Sequence, residues 1–273
     1  MFGKLLKYEL RSTSRFMWIL YCAVICAGLI SGLTLRFVIF GNEAPQPDGS
    51  SIISVEGFKA VLATISISVY VLLIVAMEVL TIVMIVLRFW KNMLGGEGYL
   101  MHTLPVPSWM LVTSKTVIAI LWELMAGISA LISGTLVLLT SGIGFEILKE
   151  INLREMFADL REFMNIGPTQ LVLLAVFAGI AGILQFYFSM ALGNLANKNK
   201  VLFSVLAYLG INVAVSVIRG IISFIGISLS SHIGATGMMV GIIGWPTVIL
   251  YLLMAVGFFF GTYLIMENRL NLE

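Results

Sequence analysis

Six predominantly apolar stretches, at roughly 16–40, 58–87, 109–141, 169–193, 201–225 and 241–266, constrain this chain more than any other feature. A helix needs about 20 such residues to cross the hydrocarbon of a bilayer. Each stretch reaches that length, and several exceed it, which implies tilt or helix ends protruding into water. Composition agrees: of 273 residues, 60% are hydrophobic and 11% charged, with a mean hydropathy of +1.05. Soluble domains carry roughly 25% charged residues. The expected fold is an all-α integral membrane protein of six transmembrane helices in a single transmembrane domain over 1–273. The N-terminal run is too long for a cleavable signal, and no A-x-A-like site follows it.

Orientation follows from the placement of lysine and arginine. Lys4, Lys7, Arg11, Arg15, Arg88, Lys91, Lys115, Lys198, Lys200 and Arg269 fall on one side of a six-span topology. Arg36, Lys59, Lys149, Arg154, Arg161 and Arg219 fall on the other. There the connection between spans three and four offsets Lys149, Arg154 and Arg161 with Glu146, Glu150, Glu155, Asp159 and Glu162. Both termini are therefore expected in the cytoplasm of a multi-pass protein of the cell membrane.

Three segments outside the spans carry pattern. In residues 1–15, Phe2, Leu5, Leu6 and Leu10 share one helical face and Lys4, Lys7, Arg11 and Arg15 the other, the pattern of an amphipathic helix lying in the membrane interface. In 142–168, Leu153, Phe157, Leu160 and Met164 follow helical spacing and Glu150 precedes Arg154 by four, which predicts an external amphipathic helix. In 219–240, glycines and serines are frequent and no charge follows Arg219. Short re-entrant helices are expected there, since irregular backbone at membrane depth must be buried in protein or line a cavity. Arg219, Ser231 and His232 are candidate outer-gate residues.

Two acids lie inside spans. Glu78 stands ten residues before Arg88 and Glu123 eight after Lys115, so the antiparallel second and third helices bring both to similar depth. With Gln185, Tyr208 and Asn212 they form a candidate translocation path or polar core. Intramembrane acids read first as functional. The competing reading is a neutral carboxyl acting as hydrogen-bonding glue between helices.

Enzyme chemistry finds little support. The chain has no G-x-S-x-G elbow, no H-E-x-x-H helix and no G-x-x-x-x-G-K-[ST] loop. His102 and His232 are predicted on opposite sides of the membrane, so they cannot share a metal, and no metal site is expected. Cys22 and Cys26, four apart on one helix face, read as small packing residues.

The most polar interruption on the cytoplasmic side is GGEGYLMHTLPVPSWMLVTSK, residues 95–115. Glu97 is placed to cap a short helix, and Pro105 and Pro107 to terminate it and stiffen the approach to span three. The order Gly96-Glu97-Gly98-Tyr99, then Thr103-Leu104-Pro105-Val106-Pro107, then Ser114-Lys115 resembles the first cytoplasmic connection of type-2 ABC exporter permeases. Tyr99 stands where a small or hydroxyl residue is common in that family. The basic stretch Lys4 to Glu9 is similar to the family's connecting helix, and the six spans match it over nearly the whole chain.

The resemblance implies a permease subunit of an ATP-driven exporter, with a second permease copy as homodimer or related chain. ATP and magnesium would be bound by a partner ATP-binding-cassette subunit, not by this chain. It also implies that residues 88–108 form a coupling region in which Glu97, Gly98, Tyr99, Leu100, His102, Leu104 and Pro105 dock into that ATPase. The alternative from the residues is a stand-alone secondary transporter or channel that uses the intramembrane carboxylates. No convincing internal repeat between the halves supports that alternative.

Overall fold

The computed structural model describes residues 2–40, 57–95, 107–142, 168–196, 198–233 and 239–268. Among these every regular element is helical: α1 (Phe2–Phe40), α2 (Gly57–Phe89), α3 (Ser108–Ser141), α4 (Pro168–Asn194), α5 (Lys200–Ile233) and α6 (Met239–Asn268). Each contains a stretch long and apolar enough to cross a membrane. In hydrocarbon a helix satisfies its own backbone, which is why apolar runs of this length become helices.

Two expectations change at the element level. The amphipathic start and the first span form one unbroken helix of 39 residues, since no proline or loop sequence separates them. Likewise α5 runs on without interruption from Arg219 to Ile233, so this part of the expected re-entrant region continues the fifth span. The expected external helix lies almost wholly in 143–167, outside the described residues, as do 234–238.

The chain divides into two packed units. The first comprises Lys7–Met84 and Leu121–Asn152, and so most of α1, most of α2 and the later part of α3. Here α1 and α3 approach closely through Gly28 and Gly32, a small-xxx-small pair. A β-carbon at Gly28 would stand 2.9 Å from the Ser133 carbonyl oxygen, and one at Gly32 2.9 Å from that of Val137. Hydroxyls tie the three helices together. Ser133 Oγ donates to the Val24 carbonyl at 3.0 Å and lies 3.0 Å from the Tyr70 hydroxyl, while Ser66 and Ser31 pair at 3.2 Å.

The second unit comprises Met1–Leu6, Ile85–Ile120 and Leu153–Glu273. In it α4 packs against both α5 and α6, and α5 against α6. Its apolar core gathers Phe89, Met93, Leu111, Val112, Leu184, Tyr187, Met190 and Met266. The α4–α5 turn is tight. Asn199 adopts a left-handed backbone (φ 54°), a conformation asparagine tolerates, and its carbonyl accepts the Phe203 amide to open α5. At Gly193 a β-carbon would fall 2.6 Å from Ser204 Cα, so only glycine lets the two helices meet there.

Candidate functional site

The first unit holds the intramembrane acids. The Tyr21 hydroxyl donates to the Trp122 carbonyl at 2.9 Å, and Trp122 Nε1 donates to Thr13 Oγ1 at 2.9 Å. That pair of bonds sets α1 beside the Trp122–Glu123 step of α3. From the other side, Ser129 Oγ lies 3.2 Å from Met77 Sδ, next to Glu78 on α2. The result is a polar group inside three apolar helices. Glu78 and Glu123 lie within range of each other's charge, and the Tyr21 hydroxyl is within range of both. Thr81, wholly buried and one turn after Glu78, is a neighbour of the Tyr21 hydroxyl.

Tyr21 and Thr81 were not among the sequence candidates. A tyrosine and a threonine in an apolar run look like ordinary span residues, and the only available signal was the three-residue spacing from Glu78 to Thr81 on one helix face. The cysteines differ from expectation. Cys22 and Cys26 are exposed on the outer face of α1 and do not pack into this chain. The buried side of that helix carries Met17, Tyr21 and Val24 instead.

The second unit holds the remaining polar candidates. Gln185 is 7% exposed in α4, and its Nε2 has no hydrogen-bond partner among the described residues. Tyr208 stacks on Phe186 with ring centroids 4.6 Å apart. Asn212 turns its amide back to the Tyr208 carbonyl at 2.9 Å. The candidate path set thus divides by unit, with Glu78 and Glu123 in one and Gln185, Tyr208 and Asn212 in the other. The Arg219 guanidinium sits over the Tyr251 ring, 5.9 Å from its centroid. Ser231 and His232 belong to α5 by backbone, and their side chains lie outside the described set.

The coupling candidates Glu97, Gly98, Tyr99, Leu100, His102, Leu104 and Pro105 lie outside the described residues. The two ends of that connection are described. On one side α2 closes in a π-turn, Trp90–Leu94, with the Gly95 amide bonded to the Trp90 carbonyl at 2.8 Å. On the other, the Met110 amide bonds to the Pro107 carbonyl at 2.9 Å to start α3. Met93, Leu94, Leu111 and Val112 from both ends enter the same apolar core. Lys115 is buried at 5% exposure, although a lysine at the membrane edge reads from sequence as a solvated charge.

Tyr187 of α4 joins the two ends. Its ring stacks on Phe89 with centroids 3.9 Å apart, and its hydroxyl lies 3.5 Å from the Lys115 carbonyl, a long and weak hydrogen bond. Comparison with family models, with curated proteins and with solved structures returns no match to this chain.

Proposed function

We propose that this chain is the membrane-spanning permease subunit of an ATP-driven exporter of the type-2 ABC class. It works with a separate ATP-binding-cassette ATPase and a second permease copy in the cell membrane, with both termini in the cytoplasm. The first turns of α1, with Lys4 and Lys7, reach the inner interface. Residues 88–108 receive the ATPase, and its closure drives alternating access and outward movement of substrate.

The observation that carries this reading is the shared anchoring of the connection. The end of α2, the start of α3 and the middle of α4 meet around Tyr187 in one packed core. Close-packed interiors transmit displacement rather than absorb it. A partner that pushes on 96–106 therefore moves three spans together. The sequence supports a separate energy source, because it contains no phosphate-binding G-x-x-x-x-G-K-[ST] loop.

The test is co-purification of the full chain with the ATP-binding-cassette ATPase produced with it, followed by ATPase assay of the complex in liposomes. Glu97→Ala and Pro105→Ala are expected to insert normally yet lose stimulated ATPase activity. A chain that binds no ATPase and transports alone overturns the proposal.

One observation favours a second reading, a stand-alone transporter: Glu78 and Glu123 stand near one another and near Tyr21 inside apolar helices. Flux driven by a proton gradient in ATP-free liposomes, abolished by Glu123→Gln, supports that reading instead.

A further inference from the structure

The polar group inside α1, α2 and α3 is rich in hydrogen-bond acceptors and poor in donors. The Tyr21 hydroxyl carries a single proton. That proton is committed to the Trp122 carbonyl at 2.9 Å, with Met17 Sδ, at 3.8 Å, as a second acceptor in reach. Toward Glu78 and Glu123 the phenol oxygen therefore offers only lone pairs. Ionised carboxylates accept and never donate. No lysine, arginine or histidine stands within four residues of Tyr21, Glu78, Thr81 or Glu123 along any of the three helices.

Thr81 is a second and independent sign. A threonine hydroxyl inside a helix is commonly satisfied by the carbonyl four residues earlier. Thr34, Thr64, Thr116 and Thr262 all bond in that way. Thr81 does not. Its Oγ1 is wholly buried and has no partner at hydrogen-bonding distance and angle among the described residues. It lies one turn beyond Glu78 on the same helix face, with the Tyr21 hydroxyl for a neighbour. A buried hydroxyl turned from its own backbone toward an acceptor cluster calls for a ligand there.

We propose that Tyr21, Glu78, Thr81 and Glu123 form a binding site for one alkali cation, held by the two carboxylates, the phenol oxygen and the threonine hydroxyl. Hard oxygen atoms with free lone pairs are the ligands such ions take. The charge of the ion follows from how few acids converge. Among the described residues no group of three or more histidine, cysteine, aspartate or glutamate side chains comes together. Calcium takes roughly six to eight oxygens, and magnesium gives up its waters reluctantly, so two carboxylates and two hydroxyls suit a singly charged ion better. The site goes beyond both functional readings above, because it is a property of α1, α2 and α3 alone.

Equilibrium binding of radioactive sodium tests this, with the full chain purified in detergent and held in mildly alkaline choline buffer. One saturable sodium ion per chain is expected. Thr81→Val removes one oxygen at nearly constant shape and is expected to weaken binding at least about tenfold, the effect of losing one bond to a charged group. Tyr21→Phe is expected to do the same, and Glu123→Gln to weaken binding further. Thr64→Val is the control and is expected to leave binding unchanged, since that hydroxyl already donates to the Ala60 carbonyl. A wild-type chain that takes up no saturable sodium overturns the proposal. So does a Thr81→Val variant with intact helical circular dichroism and unchanged binding. If Thr81→Val fails to fold, Glu123→Gln decides, because Glu123 is only half-buried. Complete displacement of sodium by an equal concentration of calcium would make the site divalent, and the proposal fails. The measurement needs neither an ATPase nor a gradient, so the exporter reading can fail while the cation site stands, and the reverse.

Discussion

The ring of Tyr187 lies on that of Phe89 at 3.9 Å between centroids and 11° from parallel, both fully buried. Through this contact α4 grips the end of α2 just where the chain leaves for the connection to α3. The stack contributes far more than the long hydroxyl contact to Lys115. Tyr187→Ala is therefore expected to cost about 3–5 kcal/mol, the range for removing a buried aromatic ring. Tyr187→Phe is expected to cost about 1 kcal/mol or less. Denaturant unfolding in micelles checks both values. If the phenylalanine variant is the worse of the two, the hydroxyl carries the contact.

Helix approach through glycine makes a sharper contrast. Gly28→Ala pushes a methyl group against the Ser133 backbone, whereas a methyl group at Gly127, in α3 of the same unit, would meet nothing within 4 Å. Gly28→Ala is expected to lower the unfolding temperature. Gly127→Ala is expected to hold or raise it, by up to about 1 kcal/mol of helix preference. Thermal melts of the two variants side by side give the answer, and equal behaviour would mean that α1 and α3 do not meet at Gly28.

The α4–α5 turn makes a prediction about backbone alone. Asn199 has a left-handed φ of 54°. Asn199→Gly is expected to be nearly neutral, and Asn199→Val to cost about 1–2 kcal/mol, the penalty for a side-chain-bearing residue in that region. Unfolding midpoints measure it, with Gly193→Ala expected to be the most damaging change at this turn because of its clash with Ser204.

The intramembrane acids can be sorted into glue or function by stability. Glu123 stands near another carboxyl, Glu78, and so within range of a like charge. A residue that glues helices loses stability when its bond is removed, by about 1–3 kcal/mol. Glu123→Gln keeps the shape and removes the ionisable group beside Glu78. If the proposed transport function holds and Glu123 serves it, this variant is expected to change stability by less than about 1 kcal/mol while transport falls. A large loss of stability with transport intact would establish the carboxyl as structural glue.

The spans at 109–141, 169–193, 201–225 and 241–266 were legible in the sequence to within a few residues, whereas the first helical span starts at Phe2 and the second runs on to Leu94. Hydrocarbon thickness sets a local length requirement, and an apolar run meets it without reference to any neighbour. Thus 109–141 became Ser108–Ser141 and 169–193 became Thr169–Asn194. The shared depth of Glu78 and Glu123 was legible for the same reason, since antiparallel helices of known rise put them at one level, but that they lie within range of each other's charge was not.

What the sequence could not show is which side of each helix faces protein. In a chain this uniformly apolar the hydrophobic pattern has almost no face, so amphipathicity cannot choose. Only tertiary packing turned Tyr21 inward and left Cys22 and Cys26 outside. Only packing placed Lys115 in the interior, used Gly28 and Gly32 as a helix contact, and set Tyr187 between the two ends of the connection. Length and apolarity are properties of a segment, and the sequence determined those. Facing is a property of pairs of segments, decided by which small residues allow backbones to approach and which rings fill the space between them.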